Sequence, residues 1–351
     1  MTDQVLFSTE GQLGLITLNR PDALNALTLA MILAIQKQLS AWKTDNAIQA
    51  VVIRAKPGNA FCAGGDVRWL YATGRAQDPE QLSFFWHEYR LNHFIHHFGK
   101  PYIALMNGMT MGGGVGVALH GSYPIASEEF VFAMPETSIG FFPDIGASYL
   151  LNRCPGSLGI YLGLTGNRLG PEDAMKAGLV KQLIPADQMS AFVKDLASRD
   201  LSGNAHAVVE ACIDSFAAPT SEYSTQIKPL IDVCFAPPTV ELIKASLQTA
   251  EGPWAMGVDN ALDKKAPLSL KITLAQLQKT KGLSLGDCLK MDYDLVRHFM
   301  RGTDFYEGVR ALLIDKDKNP IWNPQTLALV SDEQVVNYFE RADKGLEFIE
   351  K

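Results

Sequence analysis

Cysteine is scarce and scattered in this chain. Cys62, Cys154, Cys212, Cys234 and Cys288 are odd in number and include no CxxC pair, which argues against a disulfide framework and against a thiolate zinc site. No uninterrupted apolar run approaches the ~18 residues of a membrane span, and the opening MTDQVLFSTEGQ has no basic segment leading into an apolar core. Neither membrane insertion nor secretion is therefore expected, and the cytoplasm is the expected compartment. Positive charge is in deficit, with 31 Lys and Arg against 38 Asp and Glu and a net charge of −7. A nucleic-acid face is not expected, and an anionic ligand would need an amide-lined or locally basic site. No HExxH motif occurs. His93 and His97 share a helix face, but without the intervening acid of that motif no metal site is expected.

What the chain does have is length and apolar content. Its 351 residues, 47% hydrophobic and 20% charged, describe a globular protein longer than one typical domain of ~100–200 residues. Residues 14–18 and 50–55 are short, β-branched and apolar, and read as strands. Between them Leu24, Leu27, Met31, Ile35, Leu39 and Trp42 recur at helical spacing. A long helix is expected over 81–98, strands over 101–105, 123–127 and 130–133, a short helix of small residues over 115–120, and a further helix over 145–151. This alternation of short strands and helices is an α/β pattern. From about residue 188 the pattern becomes helix after helix, broken at Ala218-Pro219 and Ala236-Pro237-Pro238. The expected division is a core over 1–187 and a helical C-terminal region over 188–351.

Three stretches carry the chemistry. Residues 111–116, MGGGVG, follow an apolar strand, and a glycine run of this kind leaves backbone amides free to face a developing negative charge. FCAGGDV, at 61–67, is a second such turn. FAMPETSIGFFPD, at 132–144, places Glu136 and Asp144 in apolar surroundings. Two amide-rich turns and two acids suit chemistry at a polarised carbonyl. Burial among Phe132, Met134, Ile139, Phe141 and Phe142 would raise the pKa of Glu136 towards the range useful for proton transfer. Asp144 follows a proline at an expected helix start, where the helix field would favour its ionised form. The plainer readings are a surface glutamate and an aspartate N-cap, and Glu88 alone reads as a solvated charge.

In combination, NRPDALNAL (19–27), AFCAGGDVR (60–68), GMTMGGGVG (108–116) and the stretch 132–151 resemble the crotonase, or enoyl-CoA hydratase/isomerase, superfamily, and within it the 3-hydroxyisobutyryl-CoA hydrolase branch. MRGTDFYEGVRALLIDKDKNPIW (300–322) is similar to that branch too. The resemblance implies a spiral of ββα turns with a helical C-terminal extension, and an acyl-CoA thioester held between the amides of Gly65 and Gly113. It places CoA contacts on Ala23, Leu24, Ala26, Ala63, Gly64, Asp66 and Val67, with Arg20, Arg68 and Lys316 as candidate cations for the phosphates. It matches Glu136 to a catalytic glutamate, as base or nucleophile, and Asp144 to the second acid of the hydrolases, orienting the substrate's 3-hydroxyl. It puts Glu88 in the substrate pocket. Hydratases of the superfamily carry a glutamate where this chain has Gly116, which speaks against hydration.

The implied activity is hydrolysis of a short 3-hydroxyacyl-CoA, in first place 3-hydroxyisobutyryl-CoA of valine catabolism. CoA then enters as part of the substrate, with no separate cofactor, and a homo-oligomer stays open. The alternatives are an enoyl-CoA hydratase or isomerase, and a non-catalytic scaffold with the same fold. A nucleophile-elbow reading of Gly282-Leu283-Ser284-Leu285-Gly286, with Asp294 and His298, lacks the strand that motif requires. Ser284 reads better as a helix N-cap.

Overall fold

The structure is a computed structural model that describes residues 3–218, 228–341 and 345–348; Pro219 lies outside them. Strands β1 (Val5–Glu10) and β2 (Leu13–Leu18) form an antiparallel hairpin. Strand β2 then pairs in parallel with β3 (Ala50–Ala55). Strands β5 (Tyr102–Met106), β7 (Tyr123–Ala126) and β9 (Gln182–Leu183) continue this sheet in the order β1-β2-β3-β5-β7-β9. A second parallel sheet holds β4 (Ala60–Cys62), β6 (Met109–Met111) and β8 (Val131–Ala133).

The two sheets are visited alternately. Each of β3, β5 and β7 runs within a few residues into β4, β6 and β8, and a helical segment follows. That is the expected spiral of ββα turns. Because the small sheet is parallel, the turns after its three strands emerge at one edge, where parallel sheets commonly gather ligand-binding groups.

The large sheet is buried on both faces, as parallel sheets usually are. In β3, Val51 and Ile53 point into the main core. Ala50 and Val52 point the other way, under Phe192, Val193, Leu196, Val209 and Ile213 from the helices Met189–Ser198 and Ala205–Phe216. The main core itself runs without interruption from Val5 to Leu346. Among the described residues all strands precede residue 184, and every later element is helical. Among the described residues no helix is long and apolar enough to cross a membrane.

Helix α1 (Leu29–Thr44) buries Met31, Ile32, Ile35, Leu39 and Trp42, and is capped by Thr28, whose hydroxyl accepts from Met31 N at 3.2 Å. The apolar stripe predicted a start at Leu24, five residues too early. Leu24 and Asn25 are instead left-handed, with φ of 51° and 55°. The Asn25 side chain accepts from Arg20 N at 2.8 Å and donates to Ala60 O at 2.9 Å. A turn fastened by its own side chain outweighs a periodic pattern there. The hairpin strand β1, the three-residue strands β4 and β6, and helix α2 (Val67–Arg75) were not expected from the sequence.

Candidate active site

The turns after β4, β6 and β8 meet around a cavity of about 300 Å³. Ala63, Gly64 and Gly65 supply one wall, Met111, Gly112 and Gly113 the next, and Pro135, Glu136 and Ser138 the third. Helix α3 (Glu80–His96) adds Phe84, Phe85 and Glu88, and Asp144 lines the same cavity. Phe305, Leu312 and Leu313 reach in from the C-terminal region, the last two from a π-helical turn, Arg310–Ile314. One chamber thus unites both glycine turns and all three acids.

The two turns touch. A Cβ built on Gly113 would lie 3.3 Å from Gly65 N and would run into Glu88 Oε1. A Cβ on Gly112 would lie 3.0 Å from Glu136 Oε1, and Gly112 itself has a φ of 47°. Neither the Gly65 nor the Gly113 amide finds a backbone acceptor among the described residues. Gly113 opens helix α4 (Gly113–Leu119), where first-turn amides are unpaired by geometry. Two free donors beside each other make a site for an oxyanion.

The acids are desolvated. Glu136 is 7% exposed and its Oε2 has no partner. Burial first, then the neighbouring Asp144 charge, holds its pKa well above the usual carboxylate range, and the positive charge of Lys265 opposes the rise. Lys265 donates to Ser138 Oγ at 2.6 Å, and burial lowers its own pKa to about 8. Glu88 is 2% exposed and is likewise raised by burial, then by Asp144 and Glu136. The plain reading of Glu88 and Glu136 as surface charges therefore fails. Asp144 departs from expectation. The helix after it, Ala147–Leu151, has Gly146 at its N-cap, and the Asp144 side chain makes no cap. Its Oδ2 accepts from Tyr89 Oη at 2.6 Å. Burial, partly offset by that bond, lifts its pKa to about 7, where a helix start was expected to keep it ionised.

The turn at 19–27 lies along the first glycine turn. Leu27 N donates to Gly64 O at 2.8 Å, Ala63 N to Leu24 O at 3.0 Å, and Asp66 N to Leu27 O at 2.9 Å. Ala23, Leu24 and Ala26 are thereby brought beside Ala63, Gly64 and Asp66. Of the seven residues given to CoA, Ala63, Gly64 and Val67 line the cavity. Arg20 is already engaged, donating to Ala26 O at 2.6 Å and pairing with Asp66 at 3.1 Å. Asp66 also caps α2. Arg68 donates to Leu313 O at 3.1 Å. Lys316 is exposed and has a φ of 60°.

A family model described as enoyl-CoA hydratase/isomerase matches residues 13–339. The chain belongs to the enoyl-CoA hydratase/isomerase family. Among curated relatives, the mitochondrial 3-hydroxyisobutyryl-CoA hydrolase of Xenopus tropicalis is 42% identical over 344 residues, covering 96% of this chain and 88% of that one. The human protein of the same name is 40% identical over 351 residues, covering 96% and 89%. Among solved structures, a carnitinyl-CoA dehydratase from Mycobacterium thermoresistibile superposes with a TM-score of 0.91 at 34% identity, covering 99% of each chain. An enoyl-CoA hydratase from Rhodobacter sphaeroides 2.4.1 gives 0.89 at 36%, covering 99% and 100%. The relatives also correct the expected compartment. Those hydrolases are named as mitochondrial, which points to the mitochondrion rather than the cytoplasm.

Within the enoyl-CoA hydratase/isomerase family, the two groups of relatives differ in named reaction, and Gly116 is the position at which the resemblance implied a glutamate in hydratases. A Cβ at Gly116 would lie 2.7 Å from Asn92 Nδ2 and 3.1 Å from Asn92 Cγ and Oδ1. Asn92 is fully buried, and its amide has no partner. The space beside Gly116 is thus filled by a side chain from α3. Gly116→Ala is expected to cost about 1–3 kcal/mol by overpacking. Adding Asn92→Ala should recover most of it in denaturant titration; an unchanged deficit would mean the two positions do not touch.

Several residues of the site escaped sequence reasoning. Tyr89, Lys265, Phe305, Leu312 and Leu313 have no local motif, although the last three fall inside the C-terminal stretch that resembled the family. The rival motifs lie elsewhere. Ser284 caps the helix Leu285–Phe299, accepting from Asp287 N at 3.1 Å, and the element before it is the helix Pro267–Lys279. His93 stacks on Phe348 at 3.7 Å. All five cysteines are free and buried. Cys62, behind the first glycine turn, has its thiol pushed up to about 12 by burial, which disfavours a thiolate nucleophile.

Proposed function

We propose that the chain hydrolyses short 3-hydroxyacyl-CoA thioesters, with 3-hydroxyisobutyryl-CoA, a valine catabolite, as the preferred substrate and 3-hydroxyisobutyrate and CoA as products. The observation that carries this is the pair of unpartnered amides at Gly65 and Gly113 facing the same small cavity as Glu136 and Asp144. The relatives named 3-hydroxyisobutyryl-CoA hydrolase support the choice of substrate.

In this reading the thioester oxygen accepts from both amides. Glu136 takes a proton from water as the water oxygen attacks the carbonyl carbon, and the negative charge on the tetrahedral intermediate rests on the two N–H groups. Collapse breaks the C–S bond, and the thiolate leaves with the proton held by Glu136. In the covalent variant the carboxylate attacks directly, the thiolate leaves, and water hydrolyses the anhydride. Both routes use only substrate, water and this chain. A base whose pKa is raised towards the working pH is the stronger proton acceptor.

Asp144 accepts the 3-hydroxyl, and Phe305, Leu312 and Leu313 give the acyl chain its apolar wall. Glu88 lines the acyl pocket opposite Gly113. Ala23, Leu24 and Ala26, with Ala63, Gly64, Asp66 and Val67, hold CoA largely through backbone groups. Residues 1–187 bind the acyl-CoA, and 188–351 cover the sheet and close the acyl end.

Thiol release measured across a panel of acyl-CoAs tests the reading. The 3-hydroxylated ester should be preferred over the same chain without the hydroxyl, because an acid built to accept that hydroxyl is stranded by its absence. In Asp144→Asn the hydroxylated ester should lose about 100-fold in kcat/KM and the other ester far less. Loss of an enoyl chromophore without thiol release would instead establish a hydratase. Binding without turnover, unaffected by substitution of both acids, would establish a scaffold.

A further inference from the structure

The peptide groups on either side of Asp144 are held by three side chains that the proposed chemistry leaves unused. Before it, Pro143 O accepts from Gln276 Nε2 at 3.0 Å. After it, Ile145 O lies 2.7 Å from His120 Nε2, which must carry the ring proton to donate there. Gly146 N donates to Asp292 Oδ2 at 2.7 Å, and Asp292 Oδ1 accepts from Gln276 Nε2 at 2.7 Å. Gln276 and Asp292 are fully buried and His120 is 3% exposed.

The segment they hold is not one the chain would choose unaided. Ile145 has a φ of 56°, a left-handed conformation that a β-branched residue rarely adopts and that persists only where the surroundings over-determine it. Asp292 is itself an anomaly. Its carboxyl group accepts from the Gly146 and Gln276 donors and meets no cation among the described residues, and burial holds its pKa well above the usual carboxylate range. Replacing hydrogen-bonded partners in a core by apolar groups of the same shape can be nearly neutral or stabilising, so stability alone does not account for it. His120 stays neutral, since burial lowers its pKa to about 4, and its donation to Ile145 O does not lapse across the neutral range.

We propose that His120, Gln276 and Asp292 are positioning residues, which lock the backbone at 143–146 so that the Asp144 carboxylate stands at one depth in the acyl pocket and reads the substrate's 3-hydroxyl. Two of the three come from helices beyond the last strand, Pro267–Lys279 and Leu285–Phe299. The helical region therefore sets the selectivity of a site whose amides belong to the spiral. Tyr89 fixes the carboxyl group itself, and these three fix the backbone that carries it. The inference rests on Asp144 being the hydroxyl acceptor.

The test is the ratio of kcat/KM for the 3-hydroxylated ester to that for the same ester without the hydroxyl, in the full-length protein. His120→Leu and Gln276→Met each remove one bond to the segment. Each should lower the ratio about 10- to 100-fold, the scale of a misplacement near 1 Å, with the unhydroxylated ester little changed. His120→Gln keeps a donor where Nε2 stood and should restore the ratio to within about threefold of wild type. An equal fall for both esters, or an unchanged ratio, overturns the proposal. Insolubility of both His120→Leu and Gln276→Met would assign these bonds to folding and would overturn it as well. A wild-type protein indifferent to the hydroxyl would instead sink the reading of Asp144 beneath it.

Discussion

Glu136→Gln is expected to lower kcat for thioester hydrolysis by about 1,000-fold, the middle of the range for a lost general base, while making the protein more resistant to heat at alkaline pH. The kinetic half follows from position. Glu136 Oε1 stands beside Gly112, one residue from the Gly113 amide, and Oε2 is buried with no partner. A glutamine there keeps the shape and removes the only function the group has in the proposal, as base or as nucleophile.

The thermal half follows from linkage. The folded-state pKa of Glu136 lies above the usual 4.5 because burial and the Asp144 charge disfavour the ionised form. Between 4.5 and that raised value the folded chain binds more protons than the unfolded one, so stability falls as pH rises through the window. Glutamine has no proton to lose. The melting-temperature gap between variant and wild type should therefore be small near pH 4 and widen towards pH 8. Glu88, and Asp144 with its pKa near 7, depart in the same direction, so the variant keeps part of the slope. Retained turnover would remove both catalytic roles from Glu136, and a gap independent of pH would show that its surroundings do not raise the pKa of its carboxyl group.

The sequence foretold those parts of the fold in which local and tertiary preferences agree. The strand at Ala50–Ala55 and the helix Glu80–His96 came within a residue or two of expectation, because an apolar run or a long periodic stripe admits few alternatives. Of the small sheet, only the strand at 130–133 was foreseen residue by residue. Ala60–Cys62 and Met109–Met111 are three residues each, too short to show a period of two, and they exist because neighbouring turns of the spiral bring them into register. Yet it is this sheet that assembles the site. Its turns were recognisable by glycine content, since nothing else leaves amides bare, but their meeting depended on pairings between residues about fifty apart in the chain.

The chemistry was legible as a parts list and less so as an environment. Desolvation of Glu136 was expected from its aromatic neighbours and is present. For Asp144 the local signal, a proline and an oncoming helix, pointed towards an ionised N-cap. The outcome was set by burial, which the bond from Tyr89, 55 positions earlier, offsets only in part. Arg20 illustrates the converse. By sequence it was a cation awaiting a phosphate, and in the fold it is held by Asp66 and Ala26, so it fastens the first glycine turn to the turn at 19–27. Neither partner could be assigned without knowing that these segments lie side by side.

Gly113→Ala is expected to reduce kcat/KM by about 1,000-fold, the upper end of what the loss of one oxyanion donor costs, and to leave the melting temperature close to wild type. Few glycine substitutions separate the two effects, and the surroundings of Gly113 explain why this one should. Its φ is not in the left-handed region, so alanine needs no strained backbone. The atom its Cβ would strike is Glu88 Oε1, the far end of a side chain that can turn aside. Gly114 differs, because a Cβ there would meet the Cys62 backbone, and substitution should destabilise the fold. What the new methyl at 113 cannot avoid is the space between the amides. It would sit 3.3 Å from Gly65 N, where a thioester oxygen must come within about 3 Å of both donors to be stabilised. Substrate would still find its CoA contacts, so affinity for CoA itself, measured by calorimetry, should hold while turnover collapses. A loss below about tenfold would place the reacting carbonyl outside the gap between Gly65 and Gly113, and with it would go the reason for reading these two turns as one site.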